Sequence, residues 1–207
     1  MVSKYYLLLL SGVILPWLTA AEYAASTNDT PLHTLRLASA NVHVDNPSPA
    51  PLLAWLKTAQ PDILILLEVS PSYAKALEKQ LPHYPFQHVL PANDPFGIAI
   101  FSKYPIQETR EVMDQDGIIQ LETQIQFEQR HIQVIAFHPM PPLSPHFHAI
   151  RNRKLQQLAS QSQARATIIA GDFNASPWSS AFSGLAQQGL HRTISLAPTW
   201  PSAGAGV

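Results

Sequence analysis

Residues 166–178 read ATIIAGDFNASPW: an apolar run through Ile168, Ile169 and Ala170 that ends in Gly171, Asp172, Phe173 and Asn174. A carboxylate at the tip of a buried strand needs a partner, a metal or water, because its ionised form is costly in a low-dielectric setting. The pattern recurs along the chain. TLRLASANV alternates as a strand that ends at Asn41, and PDILILLEV, a continuous apolar run bounded by Pro61 and Pro71, predicts a strand buried on both faces with Glu68 near its end. A further strand, HIQVIAFHP, ends in His138 and Pro139.

Helical segments separate some of these strands. In SPAPLLAWLKTAQ, Leu52, Leu53, Leu56 and Ala59 fall at helical spacing, with prolines at the entry and a stop at Gln60 before Pro61. SPSYAKALEKQL begins with a capping Ser70 and with Pro71 at the first helical position, and is expected to run to Pro82. FQHVL, GIAIFS, IQLETQIQF and HIQVIAFH read as strands, the last two joined by EQR as a hairpin with one solvated face. A proline-rich loop, PMPPLSP, leads to the helix HFHAIRNRKLQQLASQ, and a short helix is expected near SSAFSGLAQQG. Crossover helices between some strands and hairpins between others predict a layered α/β (α+β) architecture of two packed sheets flanked by helices.

The 207 residues, 46% hydrophobic and 13% charged, can build one domain with a sizeable core. A formal net charge of -1 gives no polyanion-binding footprint, so a phosphate-bearing substrate must be held locally, by a few groups or by a cation. Zero cysteines exclude disulfides, thiolate metal sites and cysteine nucleophiles. Nineteen prolines against eight glycines imply sharply punctuated loops.

Strands linked through crossover helices run parallel, and their carboxyl ends line one edge where ligands bind. Asn41, Glu68, Asp172 and Asn174 can meet there. Carboxylates and amides without Cys form the hard-oxygen set that suits Mg²⁺, with Mn²⁺ or Ca²⁺ as substitutes, rather than zinc. His138 stands at a comparable strand end, with a pKa range suited to proton transfer. Taken singly, each residue has a plainer reading: a turn or cap for Asn41, a salt bridge for Glu68, a loop histidine for His138, a turn for Asp172 to Asn174. Their joint occurrence at strand ends carries the functional one. Arg151, Arg153 and Lys154 could engage phosphates, but a basic run on a helix is more often a solvated face.

ASANV, PDILILLEV, FGIAIFSKYPI, VIAFHPMPP and IIAGDFNASPWS stand in an order that resembles the endonuclease/exonuclease/phosphatase superfamily, and its exported or membrane-linked bacterial branch in particular. The resemblance covers roughly residues 35–200. It implies a DNase I-like four-layer sandwich and Mg²⁺-dependent phosphoester hydrolysis. It further implies that Glu68 binds the metal with Asn41 beside it as ligand or phosphate contact. Asp172 would orient or deprotonate the attacking water, Asn174 would hydrogen-bond the transition state, and His138 would contact the scissile phosphate or assist the leaving group. Gly97 would leave backbone room near the substrate, or serve an ordinary loop. By the same resemblance the substrate would be a phosphoester in nucleic acid, phospholipid or a small phosphate ester, and no protein partner is expected.

The superfamily also implies further strands and a final Asp-His pair after residues 199–201; the sequence to Val207 does not contain them. The expectation is a domain, residues 34–207, lacking its last strands and of impaired activity as written. Lys4 followed by YYLLLLSGVILPWLTA, with Ala20 and Ala21 behind it, predicts a signal peptide or membrane anchor over residues 1–25, then a linker over 26–33. The chain would thus be periplasmic or extracellular, or anchored in the inner membrane. Two other readings are a non-catalytic metal- or phosphate-binding module on the same fold, and a metal-free glycosidase pairing Glu68 with Asp172.

Overall fold

The computed structural model describes residues 34–113, 119–162 and 165–192. The expectations for the signal or anchor, the linker and the C-terminal motif lie outside them. Thr34–Leu190 forms one compact unit.

Among the described residues, eight strands make two four-stranded sheets. The first contains β1 (Leu37–Asn41), β2 (Ile63–Leu67), β3 (Phe86–Leu90) and β4 (Ile98–Ser102) in the order β1-β2-β4-β3. The second contains β5 (Ile106–Met113), β6 (Ile119–Phe127), β7 (Arg130–Phe137) and β8 (Thr167–Gly171) in chain order. The pairs β1–β2 and β7–β8 are parallel and every other pair is antiparallel. The parallel pairs are the two joined through crossover helices, α1 (Ala50–Ala59) and α3 (Pro145–Ser162). A third helix, α2 (Pro71–Leu77), links β2 to β3.

The period-2 pattern sorts side chains between two cores. Ile63, Ile65 and Leu67 of β2 face the second sheet with Ile98 and Ile100, meeting Leu121, Ile125, Val134 and Ala136. Leu64 and Leu66 face the other way, against Leu52 and Leu56 of α1 and Tyr73 and Leu77 of α2. Beyond the second sheet, Leu155, Leu158 and Ala159 of α3 cover Ile135 and Phe137. The result is four layers, helix, sheet, sheet, helix, as expected.

Boundaries follow local chemistry. Gln60 closes α1 in the left-handed conformation, φ 43°. Ser70 caps α2 by accepting the Tyr73 amide, but that helix ends at Leu77 rather than near Pro82, and Lys79 turns the chain at φ 67°. The segment near SSAFSGLAQQG forms two 3-10 turns, Ser180–Phe182 and Ala186–Gln188, in place of one helix. Strand β5 has no counterpart in the sequence reading: IQETREVM is an edge strand with polar side chains on most positions. Nor is the polar face of the β6–β7 hairpin wholly solvated. Gln120 and Glu122 are buried, with Glu122 held by Arg110 from β5 at 2.9 Å and by the Gln120 amide at 2.7 Å.

Candidate active site

Register brings the strand tips together. Asn41 pairs with Leu67, so Glu68 is the next residue on the neighbouring strand; Phe137 pairs with Gly171, so His138 and Asp172 leave β7 and β8 side by side. The tips of the two sheets then meet through Asn41, whose Nδ2 donates to Glu68 Oε1 at 2.6 Å and to Asp172 Oδ2 at 3.3 Å. His138 Nε2 lies 4.0 Å from Glu68 Oε1. Glu68 Oε2 accepts the Val44 amide, and Asn41 Oδ1 the His43 amide, which fixes both side chains from the backbone.

Two of these residues have unusual backbones. Glu68 and Asn174 adopt φ of 61° and 47°, a left-handed region that costs a side-chain-bearing residue about 1–3 kcal/mol. For Glu68 the anchor is β2 itself: all five of its residues, Ile63–Leu67, are completely buried, each worth about 1.5–3 kcal/mol of transfer free energy. The strain therefore cannot relax by letting the strand end fray. Gly97 adds a second constraint. A Cβ there would lie 2.1 Å from the Val69 carbonyl oxygen, and the two segments are stitched by Val69 N–H to Gly97 O and Ala92 N–H to Val69 O. The space at Gly97 is thus filled by the backbone that carries Glu68, a tighter role than a loop and a different one from room for substrate.

Asn174 is held from two sides. Its Nδ2 donates to the Pro139 carbonyl at 2.8 Å, and its backbone N–H donates to Asp172 Oδ1 at 2.9 Å. One amide hydrogen of the side chain is therefore spent on tying the two sheet-end loops together. Arg151, read from sequence as part of a basic helical run, is instead 3% exposed and donates from Nη1 to the Asn174 carbonyl. The sequence offered one signal for this: Arg151 follows Ile150 on the face that continues through Leu155 and Leu158.

His138 is buried, and its Nδ1 has no hydrogen-bond partner of good geometry among the described residues. Burial lowers its pKa; the charges of Asp172 and Glu68, and more weakly the Pro95 carbonyl, oppose this without overcoming it. The ring is consequently neutral at pH 7, a proton acceptor or neutral donor rather than a standing cation. Because the folded-state pKa lies below the unfolded 6.5, this group's contribution to stability is complete above about pH 6.5 and is lost as pH falls toward the folded value. In EDTA, the stability advantage of wild type over His138→Gln, measured by urea unfolding, should narrow between pH 7.5 and pH 5. An advantage that is constant over that range would contradict a neutral buried ring.

Glu68 and Asp172 have no Lys or Arg partner among the described residues, and the nearest candidate cation, His138, is held neutral. Two carboxylates sharing one amide nitrogen, beside a second amide and a neutral imidazole, fit a hard divalent ion. Mg²⁺ characteristically takes one or two carboxylates and keeps several waters. The same residues do not make a cage of three acidic or imidazole ligands, and no such cluster occurs among the described residues.

A sequence profile described as Endonuclease/Exonuclease/phosphatase family matches residues 38–206. The chain belongs to that family. No curated protein matches it significantly by sequence. Solved structures share its fold. Danio rerio (D. rerio) TDP2 complexed with a single-strand DNA product superposes with a TM-score of 0.61 at 19% identity, covering 73% of this chain and 64% of that one. Beta toxin from Staphylococcus aureus, as a beta hairpin deletion mutant, gives 0.55 at 20% identity, covering 75% and 72%. Sphingomyelinase C from Streptomyces griseocarneus gives 0.58 at 16% identity, covering 77% and 70%. The chain spans less than two thirds of the length of the TDP2 chains it matches. Family members generally hydrolyse phosphoesters, so the paired-carboxylate glycosidase reading is left without support.

Proposed function

We propose that the chain is a Mg²⁺-dependent phosphoester hydrolase whose centre is the cluster of Asn41, Glu68, His138, Asp172 and Asn174. One observation supports this most: two carboxylates, one from each sheet and without a Lys or Arg partner among the described residues, converge on a single amide nitrogen. Glu68, with Asn41, would hold the ion; Mg²⁺ bound there supplies Lewis-acid stabilisation of charge on the phosphoryl oxygens. Asp172, fixed by the Asn174 amide, orients the attacking water and accepts its proton. Neutral His138 hydrogen-bonds the scissile phosphate or the leaving oxygen. Asn174 offers its remaining amide hydrogen to the same group.

The similar structures, TDP2 complexed with a single strand DNA product and a sphingomyelinase C, support a nucleic-acid or phospholipid phosphoester as the substrate here. Leu143 and Trp178, 86% and 71% exposed, stand on the two loops that Asn174 ties together and suit a substrate with an apolar or aromatic part. Export, or anchoring by residues 1–25, would bring the site to phosphoesters outside the cytosol.

The test is hydrolysis of bis-p-nitrophenyl phosphate by the 207-residue chain with Mg²⁺, Mn²⁺ or Ca²⁺, and with EDTA. Turnover with Mg²⁺ that EDTA abolishes is expected. Full turnover in EDTA would overturn the metal-dependent reading, and metal-dependent thermal stabilisation without any turnover would select a non-catalytic binding module.

A further inference from the structure

Helix α3 carries a guanidinium whose surroundings differ from those of any other cation in the described structure. Arg151 is 3% exposed, yet all its acceptors are neutral: Asn152 Oδ1 takes Nε at 3.1 Å and Nη2 at 2.9 Å, Ser179 Oγ takes Nη2 at 3.2 Å, and the Asn174 carbonyl takes Nη1. Arginines are seldom buried unless paired with an acid. Its burial lowers its pKa from the ordinary value.

The recipients explain the cost. Asn174 is strained at φ 47°, and its own N–H fixes Asp172 Oδ1. Ser179 closes the same loop, accepting the Ala181 amide and donating its backbone N–H to Ser176. Both ends of the loop that follows β8 are therefore gripped by one planar fork. Pro139 receives the Asn174 side chain from the opposite side, so Asn174 is clamped between α3 and the loop that follows His138. Asn152 aligns the fork and is itself tied to Ser180 Oγ at 3.4 Å.

We infer that Arg151 is a positioning residue, acting through the Asn174 backbone to hold Asp172 at the angle its proton-accepting role needs. This deepens the hydrolase reading and rests on it. A displacement of about 1 Å at a reacting group costs on the order of 10²-fold in rate. Lysine keeps the charge but has neither the plane nor the fork, so it cannot bond Asn174 and Ser179 together.

The experiment compares wild type, Arg151→Lys, Arg151→Ala and Asn152→Ala in the full chain. With Mg²⁺ and bis-p-nitrophenyl phosphate, Arg151→Lys should lower kcat on the order of 10²-fold while KM stays within about threefold. Asn152→Ala, which leaves the guanidinium but frees its aim, should show the same kcat-selective loss at roughly tenfold. Millimolar guanidinium should restore part of kcat to Arg151→Ala. Gly189→Ala, a mildly destabilising change in open space, should do none of this.

A readout independent of turnover is the Asn174 backbone amide in a ¹⁵N spectrum. It should shift and exchange faster in both Arg151→Lys and Asn152→Ala. Wild-type kcat together with an unmoved Asn174 resonance in Arg151→Lys would overturn the assignment. If wild type shows no turnover, the hydrolase reading fails, while the Asn174 resonance still decides whether Arg151 positions the loop.

Discussion

Glu68→Gln lowers kcat/KM by at least about 10³-fold, equivalent to roughly 4 kcal/mol of transition-state stabilisation. The change removes the charge while keeping size and most of the local hydrogen bonding, so the loss isolates the carboxylate's electrostatic role. Asn41 Nδ2 can still donate to the amide oxygen; only the Val44 contact is compromised, at about 1 kcal/mol. Mn²⁺ affinity, read by isothermal titration, should fall at least 10²-fold in parallel. In EDTA, by contrast, the variant should unfold within about 1 kcal/mol of wild type, because removing one of two adjacent negative charges offsets the lost bond. If activity falls while Mn²⁺ binding is unaltered, Glu68 is not the metal ligand.

The second large effect is on stability. Gly171→Ala should destabilise the domain by more than about 4 kcal/mol, a large share of the roughly 5–15 kcal/mol available to a domain of this size. Two separate faults add. At φ 148° an L side chain is strained whatever the space, and a Cβ would sit 2.0 Å from the Phe137 carbonyl oxygen and 2.9 Å from its carbon. Neither atom can yield, since Phe137 is the last residue of β7, paired to Gly171 in the parallel ladder. Gly189→Ala separates the two faults. Its φ is 82°, but nothing lies within 4 Å of the added carbon, so only the backbone cost of about 1–2 kcal/mol applies. Equal urea midpoints for the two variants would mean that the close approach of β7 and β8 is not real.

The contrast between these glycines shows what a sequence can and cannot disclose. GDFN following an apolar run was legible as a strand tip with polar side chains, and so were the strand ends at Asn41, Glu68 and His138, because continuous apolar stretches and their polar ends are local facts. That Gly171 is required by the Phe137 backbone is a fact about another strand, and no local pattern encodes it. Gly97 is the same case with Val69 as the neighbour. Strand β5 escaped for a different reason: at a sheet edge, Gln107, Glu108 and Glu111 face water, so burial imposes no alternation on them. Arg151 was misassigned because a basic residue in a helix reads as solvated unless the loop that receives it is known. For Arg151 and the two glycines the deciding partner is distant in sequence, 23 residues away for Arg151 and Asn174 and farther for each glycine.

Asn41 and Glu68 hang from one sheet, His138 and Asp172 from the other, and an aliphatic filling packs between the two slabs. That filling works as a gauge block. Its thickness, set by Ile65, Ile100, Ile125 and Val134, dictates how far apart the opposing oxygens stand. Under the proposed metal-binding role, the size of the ion that fits would be written in residues outside the polar cluster. Shaving a methyl group from the interior should retune the preference between a small ion and a larger one without altering a single polar atom.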